Sequence, residues 1–174
     1  RLKEVFLAEG IPPEWVWLAE VESSWDPMAL SPSGALGLFQ FMPETARRFG
    51  LRMDSGDERT EPEKSARAAA QYLRFLHGEC GGDWLLTLAA YHGGEGRIVR
   101  LMQRHSARTF THLAPYLPPQ TQRYVLKVLA TVSVREQIDP TTLPSPRIRV
   151  TQAARPAVSP APRSASPAPI PGSS

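Results

Sequence analysis

Two glutamates, Glu20 and Glu22, interrupt an otherwise apolar run, Trp15-Val16-Trp17-Leu18-Ala19-Glu20-Val21-Glu22. A carboxyl carried into apolar surroundings is disfavoured as the anion, so its pKa rises toward the value a general acid needs near neutral pH. On a helix, Glu22 shares a face with Leu18, Ala19 and Trp15, which precede it by four, three and seven residues. Glu20 is flanked by Val16 and Trp17, so periodicity favours Glu22 only modestly. A helix-end glutamate with its head in solvent is the competing reading for either. Downstream, Gly34-Ala35-Leu36-Gly37-Leu38-Phe39-Gln40-Phe41-Met42-Pro43 is small and apolar with one amide. Such a segment lets backbone approach a ligand closely, with Gln40 as the polar handle. A tightly packed connection with Gln40 outside reads equally well.

Other reactive side chains point elsewhere. The four histidines, His77, His92, His105 and His112, lack the spacing of a zinc site such as His-Glu-x-x-His. The single cysteine, Cys80, excludes an intrachain disulfide framework and reads as a buried or turn thiol. Gly93-Gly94-Glu95-Gly96 lacks the preceding strand and the Gly-Lys-Ser/Thr ending of a phosphate loop. Asp26, just before Pro27, reads as a turn residue. No metal or cofactor is expected.

The elements that must position these residues read as helices joined by short turns. Pro12-Pro13 suits a first helical turn, and residues 12–24 read as one helix, apolar nearly all round and therefore buried. Pro43 opens a short helix that Gly50 can close. Thr60 with Glu63 resembles a capping box, after which Ala66, Ala69, Ala70, Leu73 and Leu76 mark one helical face. Gly81-Gly82 ends that helix, and Asp83 can cap the next, from Trp84 to Tyr91. A basic amphipathic piece follows from Gly96 to His105. Pro118-Pro119 precedes a last helix through about Glu136, with Tyr124, Val125, Val128, Leu129 and Val132 on one side. No sustained period-two alternation occurs, so the fold class is all-α.

The 174 residues hold 18 prolines, and nine of them lie in residues 140–174. The rest of that stretch is mainly Ala, Ser, Thr and Arg, which cannot bury enough apolar surface to offset its ordering entropy. It reads as a disordered, partly polyproline-like tail, giving a body of residues 1–139. All 17 acids lie in the body against 16 Lys and Arg, so the net charge of +3 resolves into a body at −1 and a tail at +4. The body thus gives no reason to expect a nucleic-acid surface. No apolar run approaches the ~18 residues of a membrane span.

Three stretches resemble the soluble-lytic-transglycosylase (SLT) type of catalytic domain, within the lysozyme-like superfamily. Glu22-Ser23-Ser24-Trp25 with Ser31-Pro32-Ser33-Gly34-Ala35-Leu36-Gly37-Leu38-Phe39-Gln40-Phe41-Met42-Pro43-Glu44-Thr45-Ala46 is similar to its catalytic signature. Ala89 and Tyr91 with Gly93-Gly94-Glu95-Gly96-Arg97 are similar to its second motif, and Thr121-Gln122-Arg123-Tyr124-Val125 to its third. Glu58-Arg59 and the run from Gly82 to Tyr91 look most like the membrane-bound lytic transglycosylase D branch. The resemblance covers about residues 11–135 and leaves the tail outside.

The resemblance implies a goose-type lysozyme-like helical fold and a peptidoglycan lytic transglycosylase. Its glycan-strand substrate would be cleaved between N-acetylmuramic acid and N-acetylglucosamine, leaving a 1,6-anhydro end. By resemblance, Glu22 is the catalytic acid/base. Ser31 assists near the cleaved bond, Gln40 and Met42 line the sugar cleft, and Tyr91 and Tyr124 stand near the carboxylate and the N-acetyl group. His92, another candidate substrate contact, stands where Asn is usual. Gly93 replaces a common Ala, and Gln120 replaces a Glu that some members keep near the site. The resemblance also implies a monomer exported to a bacterial periplasm or envelope, with its signal before Arg1. A goose-type-lysozyme-like hydrolase and a non-catalytic peptidoglycan-binding module are the rival readings.

Overall fold

The computed structural model describes residues 1–147, all helical or irregular apart from two isolated antiparallel bridges, Leu30 to Leu36 and Leu36 to Phe41. The first element, α1 (Leu2–Ala8), has no counterpart in the sequence reading. It is short and uncapped, and its one buried side chain, Phe6, stacks on Phe39 at 5.7 Å.

The expected helix over residues 12–24 is instead two pieces, a 3-10 turn at Pro13–Trp17 and α2 at Leu18–Ser23. Pro12 and Pro13 have no N–H to give, and Trp15 N–H closes a tight turn on Pro12 O. The segment is buried on one side, through Trp15, Val16, Leu18 and Ala19, and not nearly all round as its composition suggested, since Trp17 and Val21 stay partly exposed. Two left-handed residues, Ser24 (φ 52°) and Trp25 (φ 67°), stop α2 one residue past Glu22-Ser23.

The remaining helices are α3 (Pro43–Arg48), α4 (Pro62–Glu79), α5 (Trp84–Gly93), α6 (Glu95–Arg104), α7 (Phe110–Leu113) and α8 (Pro119–Glu136). Short 3-10 turns lie at Glu58–Thr60, Ala114–Tyr116 and Pro140–Thr142. Helix α5 packs against α4, α6 and α8, with Leu86, Leu88, Ala89 and Ala90 fully buried, so it forms the centre of the core. Its N-cap is Asp83, whose carboxylate accepts from Leu86 N–H at 2.9 Å. The expected capping box does not form. Thr60 donates to Asp57 O at 2.8 Å inside its own 3-10 turn, and α4 starts from Glu61 with Pro62 in its first turn and no side-chain cap.

Residues 140–147 also depart from expectation, because they pack on the body. Pro140 is buried, Trp84 Nε1–H donates to Pro144 O at 3.1 Å, and Arg147 N–H donates to Gly10 O at 2.8 Å. Proline density marked this stretch as tail, but prolines and their neighbours still offer carbonyls and apolar rings to a waiting surface. The disorder expected for the rest of the tail concerns residues 148–174, outside the described residues.

The loop over residues 34–42 is held from beneath by Arg59. Its buried guanidinium donates to Gly34 O at 3.0 Å and Phe41 O at 2.9 Å, and pairs with Asp57 at 2.7 Å. Gly37 (φ +86°) lies so close to the Arg59 backbone that a Cβ there would sit 2.0 Å from its carbonyl oxygen. Gly34 (φ +90°) faces open space. Gly34→Ala is therefore expected to cost about 1–2 kcal/mol, the left-handed penalty alone. Gly37→Ala adds the backbone collision and should cost well above that, about 3 kcal/mol or more. Urea unfolding of the two variants checks this, and equal losses would contradict the close approach.

Candidate active site

Glu22 occupies the last turn of α2, where the helix face of Leu18 and Ala19 meets α8. Its Oε1 accepts a hydrogen bond from the Tyr124 hydroxyl at 2.5 Å. Burial raises its pKa from 4.5 to about 7, against the opposing pull of the Tyr124 bond and the Lys127 charge. No second acid is among the groups that shift it. Glu20 has the opposite fate. It forms a two-pronged ion pair with Arg135 (2.7 and 2.9 Å), which lowers its pKa, so of the two glutamates only Glu22 is poised to hold a proton near neutrality.

Two tyrosines stand beside Glu22. Burial and then the Glu22 charge push the pKa of both Tyr91 and Tyr124 well above the usual value, so both remain neutral donors. Tyr91, near the end of α5, donates to Phe39 O at 2.8 Å. Tyr124 lies one turn into α8 beneath His92, whose ring stacks on it at 4.4 Å. His92 Nδ1 is 3.3 Å from Thr121 Oγ1, and burial lowers its pKa, so this histidine is neutral at pH 7. Gly93 suits this junction, since a Cβ there would press on Ile98 Cδ1 at 3.3 Å and Thr121 at 3.5 Å.

The loop over residues 34–42 is tied to this cluster twice. Ser23 Oγ donates to Leu38 O at 3.0 Å, and Tyr91 takes the next carbonyl, Phe39 O. Ser31 closes the preceding turn. Its Oγ accepts from Ala35 N–H at 2.9 Å and lies 3.0 Å from Ser33 Oγ. Gln40 (φ 50°) donates through its amide to Ala29 O (2.8 Å) and Gly37 O (3.0 Å), so that group holds the loop together. Met42 is exposed at the N-cap of α3. Glu22, Tyr91, Tyr124 and His92 thus form one cluster, and Ser31, Gln40 and Met42 lie on the loop anchored to it.

Sequence reasoning missed Lys127, the contact of the motif residue Thr121 with His92, and the clamping role of Arg59. Lys127 and Thr121 lie three residues on either side of Tyr124, one helical turn away. The other singled-out groups are elsewhere. His77 is buried against Trp84 at 4.3 Å, His105 stacks on Tyr116 at 3.6 Å, and Cys80 is buried at the end of α4. Asp26 accepts from Met28 N–H in a turn, and Glu95 pairs with Arg48. Among the described residues no group of three His, Cys, Asp or Glu could hold a metal, and no helix is long and apolar enough to cross a membrane.

A tyrosine-bonded glutamate under a glycine-rich loop, in a helical body, agrees with what comparison with known proteins finds. The transglycosylase SLT domain model matches residues 7–113, and the chain belongs to that family. It is 40% identical over 126 residues to membrane-bound lytic murein transglycosylase D of Escherichia coli K12, covering 70% of this chain and 27% of that protein. It is 31% identical over 122 residues to the soluble lytic murein transglycosylase of the same strain, covering 65% of this chain and 19% of that one. The chain therefore spans about a quarter or less of these relatives' length. Among solved structures, the 70 kDa soluble lytic transglycosylase of Escherichia coli superposes with a TM-score of 0.69 at 26% identity, over 83% of this chain and 25% of that one. An inactive Glu-to-Gln mutant of lytic transglycosylase Slt from Pseudomonas aeruginosa gives 0.67 at 28% identity, over 78% and 23%. The all-α, lysozyme-like fold expected from the sequence is the one found.

The proton on Glu22 has a consequence for stability. Its folded pKa of about 7 exceeds the unfolded value near 4.5, so the folded state holds an extra proton between them, and stability falls as pH rises through that window. Glu22→Gln removes this dependence. The variant should match wild type below about pH 4.5 and exceed it at pH 8 by up to about 3 kcal/mol in urea unfolding. A difference that does not change with pH would contradict the raised pKa.

Proposed function

We propose that this domain is a peptidoglycan lytic transglycosylase acting on glycan strands in a bacterial envelope, as a monomer and without a cofactor. The observation that carries the reading is one half-buried carboxyl at Glu22, raised in pKa to about 7 by desolvation, bonded to Tyr124 and shifted by no second acid. Hydrolytic glycosidases generally pair two carboxyls, one as acid and one as base or nucleophile. A non-hydrolytic cleavage needs only one.

In the proposed reaction, protonated Glu22 gives its proton to the β-1,4 glycosidic oxygen, and the C1–O bond of N-acetylmuramic acid breaks. The substrate's N-acetyl group stabilises the positive charge at C1. Glu22, now a carboxylate held by Tyr124, takes the proton from the C6 hydroxyl of the same ring as that oxygen closes on C1. The product is a 1,6-anhydro end, and Glu22 is protonated again. The intramolecular nucleophile removes much of the entropic barrier, and acid–base catalysis by Glu22 supplies ~10²–10⁴-fold. Ser31, Gln40 and Met42 on the anchored loop, with Tyr91, His92 and Tyr124, form the proposed sugar-binding wall. Membership of the SLT family and the names of the murein transglycosylase relatives support this reading.

Mass spectrometry of products from purified cell wall tests it. Anhydro-muropeptides, one water lighter than hydrolysis products and without a reducing end, are expected from wild type and not from Glu22→Gln. Reducing-end products would establish a hydrolase, and no products a binding module. Tyr124→Phe removes a bond that favours the Glu22 anion, so it should move the alkaline limb of the activity profile upward and lower kcat by about tenfold. Tyr91→Phe, whose hydroxyl serves Phe39 O, should be milder.

A further inference from the structure

Helix α6 carries three exposed arginines, Arg97, Arg100 and Arg104, at spacings that place them along one side. With Leu101, Gln103 and the half-exposed ring of Tyr116 they line an open groove of about 620 Å³. None of the three has an ion-pair partner among the described residues. The acid at the head of α6, Glu95, is engaged by Arg48 across to α3 at 2.7 Å. The Arg100 guanidinium folds back over Gly96, where a Cβ would meet its Nη1 at 3.2 Å, so it is directed toward the N-terminal end of the helix. That end follows α5 after the single residue Gly94, and Gly93, next to His92, lies between Ile98 of α6 and Thr121 of α8. The groove is therefore an unneutralised cationic strip whose near end, Arg97, follows His92 of the Glu22 cluster by five residues across the α5–α6 junction.

We propose that this strip is a binding site for the carboxylates of the peptide stems carried by the glycan strand. The inference rests on the function proposed above. Charge complementarity carries it. A stripped strand presents one lactyl carboxylate per muramic acid, whereas a stem ties up that carboxylate as an amide and brings several of its own, farther from the sugar. Planar guanidiniums bind carboxylates in two-pronged fashion, and the Tyr116 ring and Leu101 can cover the stem's aliphatic parts. A strand seated on Glu22 projects its stems sideways from the lactyl groups, and α6 is a cationic element that departs from that site with its arginines unpaired. The strip thus favours strands that still carry their stems over stripped ones.

The test uses the Glu22→Gln protein, so that ligand is bound and not turned over, titrated with soluble muramic-acid tetrasaccharides with and without peptide stems. Binding of the stem-bearing ligand should be the tighter and should weaken as salt is raised. Replacing Arg97, Arg100 and Arg104 with Gln should weaken it about tenfold and bring the two ligands to similar affinity. The charge-keeping Lys triple variant should retain part of the preference and serves if the Gln triple does not fold. No preference in the parent protein, or equal losses for both ligands in the Gln triple variant, would each overturn the proposal. If neither parent nor wild-type protein engages either ligand, and no cleavage products form, it is the proposed function that fails.

Discussion

Much of this structure depends on holding one carboxyl, that of Glu22, half-buried where water solvates it poorly. Moving Glu22 from a pKa of 4.5 to about 7 corresponds to about 3 kcal/mol against its charged form, after the Tyr124 bond and the Lys127 charge have offset part of the burial. The cost is local, and the core around it carries it. Trp15, Leu18 and Ala19 bury the helix face that ends in Glu22, while α5 and α8 bring Tyr91 and Tyr124 against it from the other side. Two left-handed residues stop α2 immediately after Glu22-Ser23, so the carboxyl sits at a helix end, where a substrate can reach what the helix interior would hide.

The second constraint is rigidity of the loop over that carboxyl. Residues 34–42 form almost no regular structure beyond the Leu36–Phe41 bridge, and side chains satisfy many of their carbonyls. Arg59 takes those of Gly34 and Phe41, Ser23 that of Leu38, Tyr91 that of Phe39, and Gln40 that of Gly37. Two of these donors belong to the candidate site itself or its immediate neighbour, so loop and acid are positioned by the same side chains. A loop fixed in this way can hold a sugar ring in register with a single proton donor, which is where an intramolecular displacement gains its rate.

How much of this the sequence displayed varied with the physical signal. Helices α4 and α8 were legible because their apolar spacing is long and regular and Pro or Gly marks their boundaries, and α5 because Asp83 and Gly93-Gly94 bound an apolar run. Helix α1 was not, since seven residues with one buried side chain give no periodic signal. The 3-10 turn before α2 was hidden because its apolar pattern suits either winding. Residues 140–147 were misread because proline content speaks of local stiffness and not of a docking surface elsewhere in the chain. At the site, pattern alone could not choose between Glu20 and Glu22. The choice turns on Arg135, 115 residues from Glu20, and Tyr124, 102 residues from Glu22, which no local window contains. Resemblance reached Tyr124 and Gln40, while the role of Gln40 as a brace for its own loop needed the structure.

The account stands on the proton that Glu22 holds near neutral pH. A carbon-13 NMR titration of the carboxyl groups, with the Glu22 resonance assigned by its loss in Glu22→Gln, measures this directly. A midpoint of about 7 is expected. A midpoint at the ordinary value near 4.5 would contradict it, because Glu22 would then already be ionised where it must act as an acid.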